Sequence, residues 1–380
     1  YCLMVVLSRR LGRGLRTAGP EEWLGVLRKL RVLIVHAGGD SKRLPAYGPC
    51  GKIFVPVPGQ SDSALPLTLF DRQLPIYLVL PQSEGGREVG QVVITSGDVM
   101  LRFAPDEVSF AAAGITGLAC YAQPEQATRH GVFCRGEGDA VRLYLQKPTV
   151  AEQRQKGAID AYGHACLDIG VMSFDAEAAV KMLQVFGAQV DRRGKLALSG
   201  QMGEAVTSRR LDFYREICCA MGSRASKSEH AKSALQSGSK WNKILLGRLF
   251  EAFCGVAFSV KLLKQCEFLD LGANRSLIDS GRRLLQEDRG VSSLQSLLDI
   301  NNEISDSGSV KGSSAWVEGC RIASTLSLGG ENMIVGVDVD EPMSLPAGAC
   351  LDVIKGRGRG GKAAWFVRCY GIDDTFKETI

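Results

Sequence analysis

The segment His36-Ala37-Gly38-Gly39-Asp40-Ser41-Lys42-Arg43-Leu44-Pro45, followed by Gly51-Lys52-Ile53-Phe54, holds the residues best suited to phosphate chemistry. Gly38 and Gly39 carry no Cβ, so their backbone N–H groups can approach a polyphosphate closely. Ser41 adds a hydroxyl. The planar guanidinium of Arg43 can grip a phosphate through two parallel hydrogen bonds, and Lys52 supplies a mobile point charge. A glycine pair alone would indicate a tight turn. The whole string, with both cations at this separation, indicates a nucleotide-phosphate cradle in which Arg43 and Lys52 do the electrostatic work. Asp98 follows Val93-Ile94-Thr95-Ser96-Gly97. A carboxylate at such a strand end can hold a divalent cation that bridges nucleotide phosphates.

Three short apolar runs must position these groups. Arg31 to His36 leads into Ala37-Gly38-Gly39, Gln91 to Thr95 into Ser96-Gly97-Asp98, and Val141 to Leu145 into Gln146-Lys147-Pro148. Each reads as a buried parallel strand ending in polar or glycine-rich residues. Helix-like stretches cover Leu67 to Leu74, Ala176 to Phe186, Asp212 to Met221 and Asn242 to Phe253. Strands alternating with helices predict a wound α/β domain, with ligands at the carboxyl ends of the strands. The expected organisation is an N-terminal remnant (1–30), the main α/β domain (31–290), a connection rich in Ser, Asn, Asp and Gly (291–314) and a small all-β module (315–380). Pattern alone leaves that module open between a β-helix and a sandwich. The basic, glycine-rich stretch Lys355 to Lys362 reads as a solvated hairpin loop, because no helix follows it to receive a phosphate.

Composition narrows the partners. With 380 residues, 45% hydrophobic and 23% charged, the chain is an ordinary globular protein long enough for two domains. A net charge of +5 suits attraction of phosphorylated small molecules and falls short of the basic stripe of a nucleic-acid binder. The 12 cysteines show no Cys-x-x-Cys spacing, and Cys218-Cys219 are adjacent, so the expectation is buried free thiols in a reducing cytoplasm. Leu3 to Leu7 is too short for a secretory core or a membrane span. A start at Tyr1 suggests a fragment of a longer product.

The string from His36 to Ile53 resembles the L-fucose-1-phosphate guanylyltransferase family, which in bacteria and plants forms the N-terminal half of bifunctional fucokinase enzymes. Asp71-Arg72-Gln73-Leu74-Pro75-Ile76-Tyr77, His130-Gly131-Val132-Phe133, Leu145-Gln146-Lys147-Pro148 and Leu167-Asp168-Ile169-Gly170-Val171 match the same family. So do Leu345-Pro346-Ala347-Gly348 and Arg368-Cys369-Tyr370-Gly371-Ile372-Asp373-Asp374. The resemblance runs from residue 31 to the end.

It implies a wound, mostly parallel sheet of the sugar nucleotidyltransferase type, followed by a small all-β module taken as a β-helix. It also implies GTP and L-fucose 1-phosphate as substrates and Mg²⁺ as cofactor. Gly38, Gly39 and Ser41 would bind nucleotide, and Arg43 and Lys52 would be catalytic. Lys147, in a string resembling Glu-Lys-Pro, would hold the sugar phosphate, and Asp168 would bond sugar hydroxyls. Phe268-Leu269-Asp270-Leu271-Gly272-Ala273 resembles the aromatic-x-Asp-x-Gly-Thr motif of bacterial relatives, making Asp270 a metal ligand beside Asp98. His130 stays open between a sugar contact and a packed histidine. Two family features are missing: an upstream Gly-Ser-Gly-Gly segment, with Leu11 to Thr17 in its place, and a kinase half, so a fucokinase domain would be a fused or associated partner. The competing expectations are the same reaction on another base or sugar, and a non-catalytic chain derived from such an enzyme.

Overall fold

In a computed structural model, which describes residues 1–37, 41–58, 67–84, 90–287 and 299–376, eleven strands serve the α/β part. They are β1 (Arg31–His36), β2 (Gln91–Ser96), β3 (Val99–Phe103), β4 (Ile115–Ala122), β5 (Gly131–Arg135), β6 (Val141–Gln146), β7 (Ala165–Phe174), β8 (Ala188–Val190), β9 (Leu196–Leu198), β10 (Phe258–Leu263) and β11 (Cys266–Asp270). The chain divides into two compact units that interleave along the sequence. The first takes Tyr1–Val35, Val79–Ser96 and Arg102–Glu267; the second takes His36–Leu78, Gly97–Leu101 and Phe268–Ile380.

The first unit is built on a sheet of order β1-β2-β7-β4-β10, with β5 and β6 attached through β7. The sheet is mixed, which corrects the expectation of a mostly parallel one. β10 pairs with β4 in parallel, but β7 runs antiparallel to β2, β4 and β5, and β6 antiparallel to β5. β6 therefore runs opposite to β2, although both apolar runs look alike in sequence.

Along one edge of β7 the pairing is broken. β2 pairs with its second half, Val92 opposite Phe174 through Thr95 opposite Val171. β5 pairs with its first half, Val132 opposite Leu167 and Phe133 opposite Cys166. Asp168, Ile169 and Gly170 fall in the gap between the two partner strands, while β4 lines the other edge.

Helices cover this sheet. Ala176–Val185 begins where Asp175 accepts the N–H of Ala178 at 2.6 Å, and buries Ala176, Ala179, Val180 and Leu183. Lys243–Phe253 is capped by Asn242 and buries Leu245, Leu246, Leu249 and Phe253. The stretch expected as a helix from Asp212 is a π-helical turn, Phe213–Cys218, running into Cys219–Met221. Residues 1–30 form helices Cys2–Leu11 and Pro20–Leu27, which place Met4, Leu7, Trp23 and Leu27 in the core; between them Gly12–Thr17 is a 3₁₀ turn with Leu15 buried. All twelve cysteines are free; six are buried, whereas Cys2, Cys50, Cys254 and Cys369 are exposed. No helix among the described residues is long and apolar enough to cross a membrane.

In the second unit the helix expected at Leu67 to Leu74 spans Leu69–Leu78. Beyond Asp299 the chain coils through three sheets, each strand pairing in parallel with its counterpart one coil later: Trp316 with Met333 and Met333 with Cys350, Arg321 with Asp338, Leu326 with Met343. Hairpins would have made these ladders antiparallel. Val317, Ile322, Leu326, Ile334 and Val339 fill the coil. Of the stretch expected as a connection, 291–298 lie outside the described residues, and Asp299–Ile300, Glu303–Ile304 and Ser309–Lys311 supply the first strand of each sheet. A hairpin, Ala349–Arg357 with Ala363–Gly371, ends the coil and carries Lys355 to Lys362 around its turn.

Candidate functional site

The cluster in the second unit centres on Lys52. It stands in a short 3₁₀ turn, Lys52–Phe54, that follows Gly51 at φ 86, a left-handed conformation suited to glycine. Its side chain is largely buried, and its Nζ donates to the carbonyl of Gly272 at 2.6 Å and pairs with Asp98 Oδ2 at 3.5 Å. Burial pushes the Lys52 ammonium below its usual pKa and Arg43 adds to that, while Asp98 and Asp270 push it back up.

Asp98 is held by its backbone, whose carbonyl accepts the N–H of Leu271 at 2.9 Å. Asp270 accepts the N–H of Gly272 at 2.8 Å and the Ser276 hydroxyl at 3.2 Å, while Ser280 donates to its carbonyl at 2.7 Å. Both carboxylates crowd Gly272: a Cβ there would lie 2.6 Å from Asp98 Oδ2 and 3.1 Å from Asp270 Oδ1. Gly97 is forced in the same way, since a Cβ would lie 2.6 Å from the carbonyl of His36. Among the described residues no three His, Cys, Asp or Glu side chains gather into a metal cage. A pair of carboxylates nevertheless suits Mg²⁺, which keeps waters and takes phosphate oxygens as its other ligands.

Gly38 and Gly39 lie outside the described residues. Ser41 is buried at φ 48, and Arg43 is exposed with its carbonyl accepting the N–H of Asn274 at 3.0 Å. The loop after Arg43 is anchored on the coil. Trp316 Nε1 donates to the Tyr47 hydroxyl at 2.8 Å, and that hydroxyl donates to Glu318 at 3.3 Å. Arg368 donates to the carbonyl of Pro45 at 3.0 Å while gripping the buried Asp352 at 2.6 and 2.8 Å. These bonds give Leu44-Pro45-Ala46-Tyr47 a structural reason: the cation loop is fastened at both ends.

The first unit gathers a second set at the gap along β7. Asp168 lies in it, 5% exposed; Tyr144 donates to Oδ2 at 2.7 Å and the Gly170 N–H to Oδ1 at 2.7 Å. Burial pushes this carboxyl up to about 6, against the lowering by those two donors. β6 ends here, because Gln146 is opposite Gly131, the first residue of β5. Lys147 follows, exposed, at φ 52, with its N–H on the carbonyl of His130 at 2.9 Å. β2 ends here too: a Cβ on Gly170, at φ +76, would lie 2.9 Å from Ser96 Cβ. Thr95 Oγ1 and Gln146 Oε1 are buried without a hydrogen-bond partner, which leaves polar capacity for a ligand. Of six non-glycine residues with positive φ among the described ones, two are Ser41 and Lys147.

The structure thus brings Arg43, Lys52, Asp98 and Asp270 together in one unit, and in the other it sets Lys147 at the end of β6 and Asp168 in the gap along β7. Sequence reasoning missed the Gly272 carbonyl, the Ser276 and Ser280 props, Tyr144 and the role of Gly131. Gly272 stood two residues after Asp270 and Tyr144 three before Lys147, but partners supplied by long-range folding leave no mark at that spacing.

Fold and site together define a mixed α/β protein with a cation–carboxylate cluster and a buried acidic gap, its C-terminal strands forming a parallel coil. The model of the fucose pyrophosphorylase domain matches residues 25–380, and the chain belongs to that family. It is 25% identical over 372 residues to an L-fucokinase/L-fucose-1-P guanylyltransferase of Bacteroides fragilis, covering 94% of this chain and 34% of that protein. A bifunctional fucokinase/GDP-fucose pyrophosphorylase of Arabidopsis thaliana is 32% identical over 168 residues, 41% of this chain and 16% of the relative. A fucose-1-phosphate guanylyltransferase of Mus musculus is 22% identical over 390 residues, 92% of this chain and 63% of the relative. The chain therefore spans about a third of the bacterial relative and less than two thirds of the mouse one.

Proposed function

We propose that this chain transfers a guanylyl group from GTP to L-fucose 1-phosphate, giving GDP-L-fucose and pyrophosphate. An oxygen of the sugar phosphate forms a bond to the α-phosphorus of GTP. The bond from that phosphorus to the bridging oxygen breaks, and its electron pair leaves with pyrophosphate. The attacking oxygen is already an anion, so the protein need supply only alignment and charge neutralisation.

On the donor side Gly38, Gly39 and Ser41 meet the nucleotide phosphates, Arg43 grips them in two-pronged fashion and Lys52 offsets their charge. Asp98 and Asp270 are the residues that would hold Mg²⁺, which when bound neutralises the developing charge on the phosphates. On the acceptor side Lys147 holds the sugar phosphate and Asp168 accepts from sugar hydroxyls. The finer architecture belongs to the same reading: a nucleotidyltransferase-type sheet followed by a β-helix, in a chain whose Bacteroides fragilis and Arabidopsis thaliana relatives are named as fucokinases as well.

The observation that carries this reading is the buried Lys52 ammonium, held beside two carboxylates in the motif segment that also bears Arg43. Purified protein with Mg²⁺ should release pyrophosphate from GTP only when L-fucose 1-phosphate is present. Equal turnover of UTP with glucose 1-phosphate would overturn the assignment of base and sugar.

A further inference from the structure

The motif His130-Gly131-Val132-Phe133 gains a physical reason from its neighbour across the sheet. A Cβ on Gly131 would lie 1.7 Å from the Tyr144 hydroxyl oxygen and 2.5 Å from the ring carbon that bears it. Only glycine leaves space for the ring to cross the start of β5 and reach Asp168. The ring is then locked: it is 3% exposed, meets Phe133 edge-on at 5.0 Å and stacks on Tyr214 at 6.3 Å. Its burial, with the Asp168 charge beside it, holds the phenol proton far more tightly than usual, so Tyr144 is always a donor toward that carboxylate.

We propose that Tyr144 is a positioning residue for sugar recognition: admitted by Gly131, its hydroxyl fixes Asp168 as an ionised acceptor for the hydroxyls of the sugar phosphate. This inference rests on the proposed function. A carboxylate offers about four acceptor sites. Tyr144 takes one on Oδ2 and Gly170 one on Oδ1, so each oxygen keeps one for a ligand. The gap along β7 is where those remaining sites are needed, and the strands around it carry Thr95 and Gln146, whose side-chain oxygens are buried without a hydrogen-bond partner.

The alternative is a buried pair that merely packs the core, and pH separates the two. The groups acting on Asp168 are its own burial, the Tyr144 hydroxyl and the Gly170 N–H; the nearby Cys166 and Cys218 thiols are pushed up by burial and stay neutral. Loss of the phenol removes a bond to a charged group, which corresponds to an upward move of Asp168 by about one pH unit.

The test is calorimetric titration of the full chain with L-fucose 1-phosphate from pH 5 to pH 8.5, for the parent, Tyr144→Phe and Asp168→Asn. The ligand's own phosphate titrates in this range too, but identically in all three, so only differences count. Affinity of the parent should fall as pH drops through about 6. In Tyr144→Phe the fall should begin about one pH unit higher, with recovery to near-parent affinity at the alkaline end. Asp168→Asn should show the ligand's titration alone. Superimposable pH profiles for the parent and Tyr144→Phe overturn the inference. Should the parent bind no L-fucose 1-phosphate at any pH, the proposed function falls, and the carbon-13 titration of the Asp168 carboxyl decides the Tyr144 contact by itself. An upward move in Tyr144→Phe keeps that contact as the group fixing the charge of Asp168; an unmoved titration overturns it.

Discussion

Lys52 and Asp168 are both buried charges that burial disfavours, and they are compensated in opposite ways. Lys52 meets full opposite charges, Asp98 directly and Asp270 nearby, which restore much of the proton affinity that desolvation removes. Asp168 is held by the neutral donors Tyr144 and Gly170, which stabilise its charge less, so its pKa settles at about 6. The Lys52 cluster is thus a cradle of opposed charges. The Asp168 gap, which the proposed function gives to sugar recognition, has a charge that changes within reach of ordinary conditions. Charge neutralisation calls for the first kind and selective bonding of hydroxyls tolerates the second.

The largest effect should come from the cradle. Lys52→Ala removes the ammonium and leaves two carboxylates facing bound phosphates, so pyrophosphate release should slow on the order of 10²–10³-fold. A rate within a few-fold of the parent in a stopped assay would remove Lys52 from the chemistry and erase the contrast.

Next, Arg43→Ala and Lys147→Ala should divide by substrate. Arg43→Ala should weaken GTP binding by about 10–100-fold and also slow turnover, since each lost charged hydrogen bond is worth about 1.5–3 kcal/mol. Lys147→Ala should raise the sugar phosphate required by a similar factor and leave GTP affinity nearly unchanged. Calorimetry with each substrate reads the split; loss of GTP affinity in Lys147→Ala with normal sugar-phosphate binding would reverse the two roles.

Asp168 should also show in stability. Its carboxyl binds a proton more tightly when folded, at about 6, than in the unfolded chain, at the ordinary aspartate value of 3.8. Stability is therefore gained as pH falls through that window and lost as pH rises through it. Asp168→Asn removes the dependence, so relative to the parent it should gain on the order of 2 kcal/mol between pH 4 and pH 8. Urea unfolding at the two pH values measures this, and a difference independent of pH would place the titration elsewhere.

The smallest effect sharpens the carboxylate pair. Asp98→Asn and Asp270→Asn should each raise the Mg²⁺ needed for half-maximal rate by about tenfold or more. If Asp270→Asn matches the parent across the Mg²⁺ titration, Asp270 serves only Gly272 and Ser276.

Much of this was legible in the chain. Arg31 to His36, Gln91 to Thr95 and Val141 to Leu145 are strands within a residue of the expected bounds, and Ala176 to Phe186 and Asn242 to Phe253 are helices. Local hydrophobic pattern and capping residues such as Asp175 and Asn242 act within a few residues, so sequence reports them. Arg43, Lys52 and Asp98 were singled out from the chemistry of their own short strings, whereas Lys147 and Asp168 were singled out by the family resemblance of theirs.

Strand direction was not legible, because an apolar run is the same run in a parallel or an antiparallel ladder. That β6 opposes β2, and that β2 and β5 share one edge of β7 with a gap between them, was decided by pairing between residues far apart in the chain. The same holds for the Gly272 carbonyl on Lys52 and for the space beside Gly131 that Tyr144 fills. Sequence by itself determined which groups were available. Tertiary structure decided their protonation and their partners, because desolvation and hydrogen bonding depend on what is packed against a side chain, and a string of neighbours in sequence does not contain that.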